Sequence, residues 1–225
     1  MATFLEIVNN VQQRLRETET AAVDTSGDSK RIGIFVNDAK REVEDAWDWI
    51  DLQSLVSVTT ASGTTGYTLT GTNRRTRIKT DPYRRDMVWN TTQQYRLQRV
   101  SMDYINNEQL ILNQNTGQVV YFALSGLSSG ARTVELSPEP NAVETIQFSC
   151  IIPQNDLVAG TDESTEIIVD PHSVELRAWA KAVSERGEDG GMSFNEIMAD
   201  YKQALGDAIS YDNARSDSES RWTVV

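Results

Sequence analysis

Val36-Asn37-Asp38-Ala39-Lys40-Arg41-Glu42-Val43-Glu44-Asp45-Ala46-Trp47-Asp48-Trp49 is a densely charged segment that ends in two tryptophans. Its apolar residues, with those before and after it, fall on one stripe: Ile32, Phe35, Val36, Ala39, Val43, Ala46, Trp47 and Ile50, the spacing of an amphipathic helix. Asp28 or Ser29 can cap this helix, and Asp38, Arg41, Glu42 and Asp45 read as its solvated face. Upstream, Thr3 and Glu6 form a capping box ahead of Phe4, Ile7, Val8, Val11 and Leu15, which predicts a first helix from Thr3 to Glu17. The polar stretch Thr18 to Asp28 reads as a loop.

Helical logic returns far along the chain. Asp170 caps and Pro171 takes the first position of a helix carrying Val174, Leu176, Trp179, Ala180 and Val183, which stops at Gly187. Gly190-Gly191 reads as a tight turn, and Ser193 with Glu196 as a second capping box. The helix after it places Phe194, Ile197, Tyr201, Leu205 and Ala208 on one face. Residues 51–169 lack this period. Strands are predicted at Leu55 to Thr60, Tyr67 to Leu69, Tyr95 to Val100, Gln109 to Leu112, Val119 to Leu124, Thr133 to Leu136 and Thr145 to Ile152, joined by segments rich in Asn, Gly and Ser. Parallel pairing needs crossover helices, and none is read here, so the strands are taken as antiparallel. The expected fold is α+β. A helical bundle is built from residues 1–50 and 170–212, an antiparallel β-sandwich or barrel-like domain is inserted at 51–169, and 213–225 forms an extended C-terminal tail. Phe35, Val43, Trp47, Trp179, Val183 and Tyr201 are the candidate bundle core. Helices at both ends with sheet between them suit a structural module better than an enzyme.

Composition narrows the functions. Hydrophobic residues make up 39 % of 225, below the usual globular share, so neighbouring subunits are expected to complete some apolar surface. The net charge of −12 argues against wrapping nucleic acid and suits a soluble or repulsive surface. Cys150, the one cysteine, lies in the apolar run Ile146 to Ile152 and reads as a buried strand thiol. No stretch approaches the roughly 18 apolar residues of a membrane span, and Met1 to Glu6 lacks the basic and apolar regions of a signal peptide.

Candidate chemistry is sparse. His172 is the only histidine, which excludes a multi-histidine metal site within one chain and leaves at most a lone general base. Glu185, Glu188 and Asp189 lack the alternating spacing of a calcium loop and read as a solvated turn or a subunit contact. Gly187 with Gly190-Gly191 lacks the lysine and preceding strand of a phosphate loop. Residues 74–99 hold eight basic side chains (Arg74, Arg75, Arg77, Lys79, Arg84, Arg85, Arg96, Arg99) against Asp81 and Asp86, with Tyr83, Trp89 and Tyr95 interleaved. Arginine beside aromatics stacks on nucleic acid or builds protein interfaces, and in an acidic chain the interface is favoured. Trp222 is either a chance residue of a polar tail or an anchor for a pocket on a partner. No catalytic residue, metal or cofactor is expected. A tail-associated hydrolase would need a carboxylate pair from Asp103, Glu108 and Glu135, and the spacing singles out none.

Phe4-Leu5-Glu6-Ile7-Val8-Asn9, the segment Phe35 to Glu44 and the segment Trp179 to Gly191 resemble head-to-tail adaptor proteins of short-tailed, double-stranded DNA bacteriophages. The resemblance implies a structural virion protein at the head–tail interface, assembled in the host cytoplasm, with no membrane partner. It implies a ring of copies, typically twelve, under the portal and above the tail nozzle, forming part of the channel through which DNA passes during ejection. The bundle would pack side by side and touch the portal, and the β region would face the nozzle. The C-terminal segment, with Arg215, Arg221, Trp222 and Val224, would reach the portal. Arg74, Arg75, Arg77, Lys79, Arg84, Arg85 and Trp89 would serve a subunit or tail interface. A nucleic-acid-binding module built on Arg74 to Arg99 is the alternative.

Overall fold

The computed structural model describes residues 2–81, 83, 85–110, 116–187 and 194–216. In chain order its elements are α1 (Phe4–Arg14), α2 (Gly27–Ala46), a 3-10 turn (Ile50–Leu52), β1 (Gln53–Thr59), β2 (Gly66–Thr68), β3 (Arg77–Ile78), β4 (Val88–Asn90), β5 (Tyr95–Arg96) and β6 (Gln98–Arg99). They continue as α3 (Met102–Leu110), β7 (Thr116–Gly117), β8 (Tyr121–Ser128), β9 (Ala131–Ser137), β10 (Glu139–Pro140), β11 (Thr145–Ile151), α4 (Pro171–Arg186) and α5 (Phe194–Ser216). The fold is α+β, with terminal helices flanking a β-rich middle. Two compact units result: one takes the residues up to Leu52 and those from Gln154 on, the other takes Gln53–Pro153. Residues 154–169, assigned to the β-rich span by sequence, therefore cluster with the helices.

In the helical unit, α4 packs against α1, α2 and α5. Several start and stop signals act as the sequence indicates. Thr3 and Glu6 form the reciprocal cap of α1, Asp170 accepts from the Ser173 amide at 2.8 Å, and Gly187 ends α4 at φ +63°. Others shift. Ser26, in reciprocal hydrogen bonding with Ser29, caps α2, so neither Asp28 nor Ser29 is the cap residue. Helix α1 ends at Arg14, with Leu15 as its C-cap and Arg16 left-handed at φ +59°. Helix α5 runs through Ser216, so residues 213–216 are helical and do not begin an extended tail. Ser193 and the Gly190-Gly191 turn lie outside the described residues. Val43, Trp179, Val183 and Tyr201 are buried, whereas Phe35 and Trp47 are half-buried.

The polar face of α2 does more than meet solvent. Asn37, Lys40, Arg41 and Glu44 stand at i, i+3, i+4 and i+7, one side of the helix. Asn37 pairs with the backbone of Leu157 in both directions, at 2.9 Å and 2.8 Å. The Lys40 ammonium, 0 % exposed, donates to the Gln154 and Asn155 carbonyls and lies 4.0 Å from Glu44. Glu44 accepts from the Gln154 amide at 3.1 Å, and Arg41 pairs with Asp156. Glu42, expected in solvent, binds Arg177 and Lys181 of α4; burial alone would raise its pKa, but these hydrogen bonds outweigh burial and pull it below the usual carboxylate range. The chain after Leu157 holds the start of α1. Thr165 and Glu163 carbonyls accept from the Phe4 and Leu5 amides, two groups that an isolated helix would leave unpaired.

The β unit has one core. Val56, Leu69, Val88, Phe122, Val134, Leu136, Ile146, Phe148 and Cys150 are among its buried side chains. One sheet has the order β1-β11-β4-β5, with β3 also on β11, and a second has the order β2-β9-β8-β6. Phe122 of β8 meets Phe148 of β11 edge to face, centroids 5.7 Å apart. Most pairs are antiparallel, but β6–β8 and β7–β10 are parallel. The first of these overturns the expectation of no crossover helix, because α3 lies between β6 and β8. Gln109 and Leu110, read as a strand, end that helix; residues 111 and 112 are outside the described set. Ser101 caps α3 by accepting from the Tyr104 amide at 3.1 Å, and Ile105 is fully buried. Strand β8 continues past Leu124 through a bulge at Gly126, φ +150°, so the Ser125-Gly126 pair does not turn the chain. The turn comes at Ser129-Gly130, both at positive φ as a tight hairpin requires.

Replacing Lys40 with Met would leave the Gln154 and Asn155 carbonyls without the donor they share and Glu44 without its nearest cation. We expect the helical unit to lose about 3 kcal/mol or more. Urea unfolding followed by helical circular dichroism would measure this, and an unchanged midpoint would refute it.

Candidate assembly surfaces

The basic stretch of the β unit is organised by one carboxylate. Asp81 sits in a loop closed by the Thr80–Asp86 bridge and by its own amide bonding the Arg85 carbonyl at 2.8 Å. Its Oδ1 accepts from the amides of Tyr83 and Arg85, at 3.0 Å and 2.9 Å. Its Oδ2 receives the Arg85 and Arg96 guanidiniums, each at 2.8 Å. The Arg96 hydrogen bond first, and then those from the Arg85 backbone and side chain, hold the Asp81 carboxyl well below its ordinary pKa. Arg96 stacks on Trp89 of β4, 4.9 Å from the ring centroid, and Arg85 on Tyr83 at 5.2 Å. Tyr83 is 79 % exposed, and Trp89 is exposed as well.

Asp86 is the second acid in the stretch. Burial raises its pKa against the pull of Arg99 and Arg96, and Arg99 stands 3.9 Å away. Arg85, Asp86, Arg96, Leu97, Gln98 and Arg99 line a cleft of about 370 Å³. The Arg96 Nε is buried and, among the described residues, meets no acceptor.

The other residues singled out by sequence are spread over the unit. Arg77 lies on β3, paired with Ile151, and Lys79 donates to Gln53 at 2.8 Å. The Arg74 carbonyl accepts from Arg132, and the Arg75 amide bonds Asn73. Arg84 lies outside the described residues. Asp103 and Glu108 are on α3 and Glu135 on β9. Cys150 is buried on β11, and burial pushes its thiol up to about 11.

In the helical unit, Arg215 belongs to the last turn of α5 and pairs with Asp51 at 3.2 Å, rather than lying in a tail. One turn earlier the buried Asp212 accepts from Trp47 Nε1 at 3.0 Å and the Ile50 amide at 3.2 Å, fixing the end of α5 to the exit of α2. Arg221, Trp222 and Val224 lie outside the described residues, as do Glu188 and Asp189. A groove of about 490 Å³ runs along α5, lined by Arg14, Asp170, His172, Leu176, Asp200, Gln203, Ala204, Asp207, Ala208 and Tyr211. Its Asp200, Asp207 and Tyr211 share one face of α5, a feature the sequence reading missed because only the apolar stripe of that helix was followed. The Asp81 hub was missed too, although an aspartate followed by arginine four residues later signals it.

Many of these charged side chains fasten the protein's own segments, leaving an arginine–aromatic patch and an acidic helix face at the surface. The model of one family, the SU10 adaptor protein, matches residues 2–224, and the chain belongs to that family of bacteriophage head-to-tail adaptors. Comparison with curated proteins finds no match.

The depressed pKa of Asp81 makes stability depend on pH. A carboxyl that binds protons less readily folded than unfolded contributes stability above its unfolded value of about 3.9 and loses it as pH falls through that value towards the folded one. Asp81→Asn should lower the melting temperature at neutral pH, and the gap to the wild type should close as pH falls below about 4. A pH series of thermal unfolding checks this; a gap independent of pH would contradict it.

Proposed function

We propose that copies of this chain form a ring, typically of twelve, that docks on the portal and receives the tail of a short-tailed double-stranded DNA phage, forming part of the ejection channel. The single observation that carries the reading is the family match over residues 2–224. The protein then belongs to the virion's head–tail interface and assembles in the host cytoplasm. The helical unit is the portal-facing part, the C-terminal segment with Arg221 and Trp222 its anchor, and the arginine–aromatic patch a subunit or tail contact. The net charge of −12 supports passage of DNA without adhesion, since an acidic lumen repels phosphates. The patch favours protein over nucleic acid, because Asp81 and Asp86 take up part of its positive charge and the chain as a whole, at −12, repels a polyanion.

Light scattering of the purified protein, alone and with its cognate portal ring, tests the reading. A stable large complex, or one formed only with the portal, is expected; a monomer indifferent to the portal would overturn it. Truncation after Ser216, where α5 ends, should leave the fold intact and weaken portal binding. Unchanged affinity in that comparison would remove the anchor role.

A further inference from the structure

Two surfaces of the chain match each other in charge. Arg85, Arg96 and Arg99 line one cleft together. Arg99 is 50 % exposed and only loosely paired, at 3.9 Å. Guanidiniums so placed recognise carboxylates, and the aromatic rings under two of them supply flat contact area. On α5, Asp200 and Asp207 are exposed seven residues apart, two turns along one face, with Tyr211, 77 % exposed, one turn further on. Neither aspartate joins an ion pair among the described residues, so both carboxylates are available to an external cation.

We infer that the arginine cleft of one copy receives the Asp200–Asp207 face of α5 on the next copy, an inference that rests on the ring reading. Two different patches of one chain that fit each other make a heterologous contact, and heterologous contacts with a closing rotation generate rings. The occupant is a second copy, because the chain itself carries an exposed acidic helix face complementary in charge to the arginine cleft.

The test uses full-length protein with the cognate portal as template and mass as the readout. One variant carries Arg85→Glu and Arg99→Glu, the other Asp200→Lys and Asp207→Lys. Arg99→Glu alone is the milder version, since Arg85 also braces Asp81. Each folded variant alone should assemble at least about tenfold more weakly than wild type. Mixed in equal amounts they should recover assembly, because an acidic cleft then meets a basic helix and the reverse around an alternating ring. Folded variants that assemble like wild type, or a mixture that stays apart, would overturn the contact while leaving the ring reading standing. So would cleft variants that assemble normally but lose a salt-sensitive retention of duplex DNA shown by wild type. Wild-type protein that never assembles, with or without portal, would instead remove the ring reading and this contact with it.

Discussion

A lysine ammonium enclosed to 0 % exposure costs several kcal/mol in lost hydration unless its donors are used, and Lys40 uses them on the carbonyls of Gln154 and Asn155. The constraint propagates in both directions. The returning chain must pass at one height along α2, where Asn37, Arg41 and Glu44 then hold it. Once that passage is set, the following residues meet α1 and supply acceptors to its open first turn, and α4 arrives with Arg177 and Lys181 at Glu42. A polar ladder on α2, as much as its apolar stripe, thus fixes where three other segments of the bundle lie.

Signals that act over a few residues were the legible ones. The Thr3–Glu6 box, the Asp170-Pro171 start and the Gly187 stop depend on local backbone groups, and the alternation in β1, β9 and β11 follows from a buried face. The illegible parts depend on partners distant in sequence. Nothing near Lys40 announces that carbonyls more than a hundred residues away will surround it. Helix α3 has two consecutive asparagines and few apolar residues, and it forms because Ser101 caps it and Ile105 packs into the β unit. The loop 154–169 has neither helical nor strand period, and its hydrogen bonds to α1 and α2, with the burial of Leu157, Ile167 and Val169, tie it to the helical unit.

The candidate surfaces were legible as composition and illegible as arrangement. Counting charges along residues 74–99 suggests a strongly basic patch, yet Asp81 takes two of its arginines and Asp86 lies beside a third. What remains is a shaped cleft with a limited set of available donors. The acidic helix face has the opposite history: Asp200 and Asp207 are unremarkable in a chain with 33 acidic residues, and become a surface only because α5 aligns them beside a groove.

Strand β1 begins at Gln53 and β11 ends at Ile151, and these residues are direct partners in the ladder. The two ends of the inserted unit are therefore held one strand spacing apart by the unit's own sheet. For the helical halves this changes the polymer problem. Closing a flexible loop of about a hundred residues costs roughly 4 kcal/mol of chain entropy, whereas a folded insert with adjacent ends presents only a short bridge. The early helices are made first and the late ones must find them, so an insert that closes on itself brings the second half back to the first. Adjacent ends thus let the folded sheet act as a short tether between two helical halves that are distant in sequence.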